Sequence, residues 1–178
     1  FLNSMVVALG TTILSVSTGS LAAYSLHRVR LPFNLNVVLV AAVLLMRMFP
    51  AISMALPYFL LMKALGLLDS QIGLIISYSS FILPFVIWLM LGFFRDVPEE
   101  IEQAAIVDGC SLWQRFALIA LPLVAPGLVA VTILTFIFAW NEFLLAAILT
   151  SFKARTLPVQ LATFVGDMGL LWGEMSAL

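Results

Sequence analysis

An all-α bundle of membrane-crossing helices is the fold class this sequence predicts, on three observations. Of its 178 residues, 63% are hydrophobic and 10% charged, with mean hydropathy +1.18, whereas soluble chains run about 45–50% apolar and about 25% charged. Four apolar stretches each reach the ~20 helical residues that a hydrocarbon core of about 30 Å requires. No stretch of about ten residues alternates polar with apolar, as a barrel strand would, and in lipid the backbone must satisfy its own hydrogen bonds, which leaves helices.

Length and uniform composition give one membrane domain over 1–178. A net charge of −1 without a basic face excludes nucleic acid as a partner. The lone Cys110 cannot form an internal disulfide, and no metal-ligand spacing surrounds it. His27, the one histidine, sits beside Arg28 and Arg30 and reads as a solvated interfacial residue. Phe1 opens the chain and Leu178 ends it in mid-pattern, so it reads as a fragment of a longer polypeptide. Its first apolar run is not a signal peptide, because the basic residues follow the run instead of preceding it.

The first span covers about 2–26 and carries no charge. The second covers about 36–62 and contains Arg47, which roughly 11 residues at 1.5 Å each place ~16 Å from its start, near mid-membrane. Pro50 deprives the carbonyl of Met46 of its helical partner, and Pro57 does the same to Ser53. Two readings of Arg47 stand: a packed side chain capping broken backbone, or one lining a polar path. The third span, about 71–94, holds Ser77, Tyr78, Ser79 and Ser80 ahead of Pro84. Their hydroxyls suit kink support and helix packing, or a solute path. The fourth span, about 123–149, holds Trp140, Asn141 and Glu142 towards its outer end. Trp140 suits an interfacial anchor, and Glu142, an acid between apolar runs, is expected to face the bundle interior or a wet cavity. Residues 151–178 read as an external loop with one short helix.

Four spans put the loops 27–34 and 95–122 on one side of the membrane. Those loops carry Arg28, Arg30, Arg95 and Arg115 against Lys63, Lys153 and Arg155 opposite, a narrow positive-inside preference for a cytoplasmic 95–122.

That loop is the long polar island of the chain. Asp96 can cap a helix with Pro98 at its first position, and Glu99 completes a pattern like a capping box. Glu99, Glu100 and Glu102 complement the positive helix end. Ile101, Ala104 and Ala105 fall at i, i+3 and i+4 as one small apolar stripe. Asp108-Gly109 ends this helix with the glycine left-handed. Ser111 with Gln114 opens a second helix, expected to run through about Ala120 and stop before Pro122. The product is a helix–corner–helix outside the membrane. Small side chains on its stripe let another protein's backbone approach closely; the competing reading is an amphipathic hairpin resting on lipid headgroups.

The island resembles the signature of permease subunits of binding-protein-dependent ABC importers: Glu-Ala-Ala, three residues, Gly, nine residues, Ile-x-Leu-Pro. This chain has Gln103-Ala104-Ala105, then Gly109 after Asp108, then Ile119-Ala120-Leu121-Pro122, at that spacing. It departs in having Gln103 where the family usually has Glu. LGTTILSVSTGSLAAYSLHR, LGLLDSQIGLI, FILPFVIWLMLGFFRDVPEE, LTFIFAWNEFLLA and RTLPVQLATF resemble successive segments of the carbohydrate, maltose-type branch.

The resemblance implies the type I permease fold of ABC importers, here without the first and last spans and the tail, in the cytoplasmic (inner) membrane with the island cytoplasmic. It implies two ATP-binding subunits, a second homologous permease, an extracytoplasmic solute-binding protein and a sugar-like solute, with polyamines, anions or other small solutes as the alternative cargo. In that setting Gln103, Ala104, Ala105, Asp108 and Gly109, with Pro122 closing the signature, form the ATPase-coupling set. Trp140, Asn141, Glu142 and Arg47 are the candidates for the solute pathway. The chain has no Gly-rich phosphate loop with Lys-Ser/Thr, so ATP chemistry is expected of a partner, and catalytic residue, cofactor and metal are all expected to be absent.

Overall fold

The computed structural model describes residues 1–29, 32–163, 165–166 and 169–170; Arg30 and the side chain of Arg47 lie outside the described residues. Helix α1 runs Leu2–Arg28, a 3₁₀ turn Pro32–Asn34, α2 Leu35–Arg47, α3 Ala51–Ala64 and α4 Gln71–Arg95. Then come α5 Glu99–Val107, α6 Leu112–Arg115, a π-helical turn Phe116–Ala120, α7 Leu121–Leu123, α8 Ala125–Trp140, α9 Leu144–Leu149 and α10 Leu157–Ala162. Strands β1 Val165–Gly166 and β2 Gly169–Leu170 pair antiparallel, with Val165 opposite Leu170.

Where the sequence places one span over 36–62, the structure has two helices. Pro50 lacks the N–H that would continue the ladder and biases Phe49 away from helical backbone, so α2 ends at Arg47 and α3 starts at Ala51. Pro57 lies inside α3 without ending it. The stretch 123–149 is likewise divided, with Asn141–Phe143 between α8 and α9. By length and composition α1 and α4 can each cross a membrane, and taking α2 with α3 and 112–123 with α8 as single spans brings the number to four among the described residues.

The chain forms two compact units, 1–13 with 49–81 and 136–178, and 14–48 with 82–135. In the first, Val7, Ala8, Met62, Leu74, Tyr78, Leu145 and Ala146 are buried. Polar staples close it at one end. The Asn3 amide donates to the carbonyls of Lys153 (2.8 Å) and Arg155 (3.1 Å) and accepts from Gln71 (2.7 Å), while Ser4 Oγ accepts the Leu157 N–H at 2.6 Å. In the second unit Ala23, Tyr24, Val86, Met90, Phe94, Phe116, Ala120 and Val131 are buried. A Cβ on Gly127 would stand 2.4 Å from the Phe93 ring, so this glycine is what lets α8 touch α4 there.

Within α4, Ser77 Oγ donates to the Gly73 carbonyl (2.8 Å), Ser80 Oγ to the Ser77 carbonyl (2.9 Å), and Tyr58 shares a 2.6 Å hydroxyl contact with Ser80. These bonds spend the hydroxyls on backbone and packing ahead of Pro84. Across the helices Ile13, Ile52, Leu56 and Ile72 lie exposed, a surface that favours association in water and is solvated by hydrocarbon.

Candidate functional site

The polar island folds as two helices about a tight corner. Helix α5 begins at Glu99 with Pro98 in the capping position and no side-chain cap; Asp96, expected to cap it, is exposed two residues upstream and does not. Pro98 replaces that cap by fixing φ for helix entry, and Glu99, Glu100 and Glu102 still meet the positive helix end. At the other end Gly109 takes φ +84°. Its N–H donates to the Ile106 carbonyl (3.0 Å) and that of Cys110 to Ala105 (2.9 Å), a Schellman closure. The capping box at Ser111 then starts α6: Gln114 N–H donates to Ser111 Oγ (3.3 Å) and Ser111 N–H to Gln114 Oε1 (2.8 Å).

The second helical run does not stop before Pro122. It continues through Leu123 and bends by 81° into α8. The π turn Phe116–Ala120 widens the helix immediately before the proline, giving its ring room where an α turn would clash.

Glu102 fixes the island from behind and is only 3% exposed. One carboxylate oxygen accepts the Tyr24 hydroxyl at 2.6 Å, and the other accepts Arg28 Nε at 2.8 Å. Arg28 also donates to Glu99 (3.2 Å) and to the Val97 carbonyl (2.9 Å), and Arg115 Nη1 stands 3.9 Å from Glu102. Removing one member of a buried pair of this kind costs about 3–5 kcal/mol, because the partner charge is left uncompensated. Tyr24 also packs against Phe94 and Phe116 at ring-centroid distances of 5.4 and 5.2 Å, which fixes the ring that carries its hydroxyl to the carboxylate.

With Glu102 turned in, the opposite face of α5 and the corner are open. Gln103, Ala104, Asp108, Gly109 and Pro122 are exposed, as are Ile106 and Val107, the last at 87%. Ala105 is not part of that face. It is 6% exposed, since on a helix it follows Glu102 by three residues and shares its inner side. The expected Ile101–Ala104–Ala105 stripe is therefore split, and the open surface around Ala104 and Gly109 is instead flanked by Ile106 and Val107.

Away from the island, Trp140 closes α8, stacked on Phe136 (5.7 Å) and edge-on to Phe1 (5.6 Å). Asn141 is exposed, and its amide donates to the Ile137 carbonyl at 2.8 Å. Glu142 is half-buried. Its carboxylate accepts the Leu145 N–H (2.9 Å) and the Ala146 N–H (3.3 Å), so it caps α9. Arg47 closes α2. Sequence reasoning missed Glu102 with Tyr24 and Arg28, whose separations of 78 and 74 residues leave no local pattern. It also missed Asp69. At φ +53°, Asp69 presents its carboxylate to the backbone N–H groups of Ser151, Phe152, Lys153 and Ala154 at 3.0–3.3 Å. Desolvation works to raise its pKa, but these four bonds outweigh it and hold the carboxyl well below the usual carboxylate range. The Asp-Ser turn beside Gly66 was the available signal.

Among the described residues no cluster of His, Cys, Asp or Glu is arranged to hold a metal. The family described as binding-protein-dependent transport system inner membrane component matches residues 7–178. A trehalose transport system permease protein of Mycobacterium tuberculosis is 45% identical over 93% of this chain and 60% of its own length. A trehalose/maltose transport system permease protein of Thermococcus litoralis is 36% identical over 98% and 63%. A bacterial ABC transporter that imports the acidic polysaccharide alginate superposes with a TM-score of 0.81 at 27% identity, covering all of this chain and 62% of that one. The chain thus spans about three-fifths of the length of the relatives it matches. With the family matched over residues 7–178 and relatives this similar, the chain belongs to the family of binding-protein-dependent transport system inner membrane components.

Proposed function

We propose that the full-length protein is one of two permease subunits of an ATP-driven sugar importer. Two ATPase subunits bind on the cytoplasmic side and a solute-binding protein delivers cargo from outside. The observation that carries this reading is the exposed face of Gln103, Ala104, Asp108 and Gly109 on a helix whose reverse side is fixed by Glu102. A rigid projection with a small-residue centre and apolar flanks suits a protein groove. Its acids and its lack of lysine suit anionic lipid headgroups poorly.

Force applied at this face by closure of the ATPases on ATP would move the spans between outward-open and inward-open arrangements. The work is done on conformation, so the chain needs no catalytic group of its own, and no nucleophile stands beside a base in the sequence. The sugar assignment rests on relatives named for trehalose and maltose transport and on the alginate importer. Trp140 with Asn141, at the end of α8, is the place where a sugar ring and its hydroxyls would find an aromatic face and an amide. Glu142 and Arg47 complete the candidate path.

The test is purification of the full-length protein from its native membrane with cysteine crosslinkers placed at Ala104 and, as a buried control, at Ala105. An ATPase subunit crosslinked from position 104 supports the reading. The absence of any ATPase, or an island labelled from outside intact cells, refutes it.

A further inference from the structure

We propose that Glu102 is a positioning residue for energy coupling: a two-point grip by Tyr24 and Arg28 on its carboxylate makes α1 move with the coupling helix α5. This rests on the reading above, in which α5 is pushed by an ATPase.

Tyr24 and Arg28 are four residues apart, hence one turn apart on the same face of α1. They divide the carboxylate, with the Tyr24 hydroxyl on Oε2 at 2.6 Å and Arg28 Nε on Oε1 at 2.8 Å. Two bonds to one planar group fix the rotation of α5 as well as its distance. Arg28 holds α5 at two further points, the Glu99 carboxylate (3.2 Å) and the Val97 carbonyl just before the helix (2.9 Å). The result is a join between the C-terminal end of α1 and the N-terminal end of α5, where each charge also suits its helix dipole. With Glu102 3% exposed, water cannot replace these bonds when α5 is pushed. Slipping past α1 would strip the buried carboxylate of both hydrogen bonds and leave it only the longer contact to Arg115, so the cheaper response is for α1 to follow. The adjacent Gln103 and Ala104 face outward, so one short helix has its receiving face and its transmitting residue on opposite sides.

The experiment uses the complete complex of full-length permease, ATPase subunits and binding protein in proteoliposomes, and measures solute imported per ATP hydrolysed. A merely destabilised complex loses both activities together and keeps their ratio. A broken transmission keeps ATP hydrolysis and lowers the ratio. For Glu102→Ala the ratio should fall about fivefold or more, the low end of ordinary coupling between sites. Tyr24→Phe, which removes one of the two holds, should fall between Glu102→Ala and the unmodified protein. Arg28→Ala combined with Glu102→Ala should be no worse than Glu102→Ala alone. If Glu102→Ala fails to accumulate, Glu102→Gln and Tyr24→Phe decide by the same ratio. An unchanged ratio in these variants, with the ATPase still bound, overturns the proposal and leaves the docking reading standing. An unmodified complex without a bound ATPase overturns both.

Discussion

Two glycines in this chain do the same conformational work in different places, and comparing them separates folding from docking. Gly109 takes φ +84° and Gly66 takes φ +67°. Each ends a helix by the same closure: Gly109 N–H donates to Ile106 (3.0 Å) and Cys110 to Ala105 (2.9 Å), while Gly66 N–H donates to Lys63 (3.1 Å) and Leu67 to Met62 (2.8 Å). A Cβ built on either one meets nothing within 4 Å. Alanine at either position therefore adds left-handed backbone strain and no clash, about 1–2 kcal/mol each, and the two variants should lose similar thermal stability. Their effects on transport should differ. An added methyl at Gly109 stands on the exposed corner at which an ATPase is proposed to dock, whereas one at Gly66 stands in the turn between α3 and α4. Thermal unfolding of the purified full-length complex, paired with ATP-driven uptake into vesicles, reads both effects. Gly109→Ala should lower uptake and ATPase retention well beyond Gly66→Ala at matched stability, and Gly109→Val more so. Equal uptake from the two at equal stability would refute the docking role of the corner.

Ala104→Trp should insert normally and lose ATP-linked uptake, whereas Ala105→Trp should overpack a buried site and lower stability by about 1–3 kcal/mol; membrane accumulation and uptake, measured together, tell them apart. The depressed Asp69 pKa contributes stability in full above the unfolded value of about 3.9, and that contribution drains away as pH falls below it. Thermal unfolding between pH 7 and pH 3 should accordingly show a steeper acid loss in the unmodified protein than in Asp69→Asn. Glu142→Ala removes two bonds to the first amides of α9 and should cost about 1 kcal/mol, as loss of a helix cap does, and Glu142→Gln should restore most of it; a transport defect at full thermal stability would show instead that the carboxylate serves the solute path.

The parts of this molecule legible in sequence are those governed by local rules. The helical extents of α1 and α4 follow from uninterrupted apolar runs, and the corner follows from Gly109 and the Ser111/Gln114 pair, whose signals span four residues or fewer. The divisions within 36–62 and 123–149 were harder to read, because an interior proline sometimes ends a helix and sometimes does not. Pro50 breaks the chain between α2 and α3, while Pro57, Pro84 and Pro122 sit inside helical segments. What decides is whether packing and a widened turn, such as Phe116–Ala120, can take up the ring. Periodicity gives a helix its faces without saying which one turns inward; Ala105 lies on the inner side with the buried Glu102. Glu102 and Asp69 were illegible as anchors, since each bonds to residues more than 70 positions away.

The exchange of the family's usual Glu for Gln103 becomes intelligible once the two neighbouring positions are separated. Residues 102 and 103 stand roughly 100° apart around a helix; the first is buried and ion-paired, and the second is exposed. A carboxylate lost from the inner position would take from Arg28 its buried partner and leave it the exposed Glu99 and the Val97 carbonyl, whereas one lost from the outer position removes at most an exposed ion pair, typically worth about 0.2–1 kcal/mol. The amide of Gln103 keeps a hydrogen-bond acceptor in the same place. If the proposed interface depends on shape, with a small centre at Ala104 and Gly109 and apolar flanks at Ile106 and Val107, it would tolerate that loss. Gln103→Glu should accordingly change ATPase retention by less than about tenfold, the equivalent of 1.4 kcal/mol, and a larger gain would mean that charge outweighs shape at this surface.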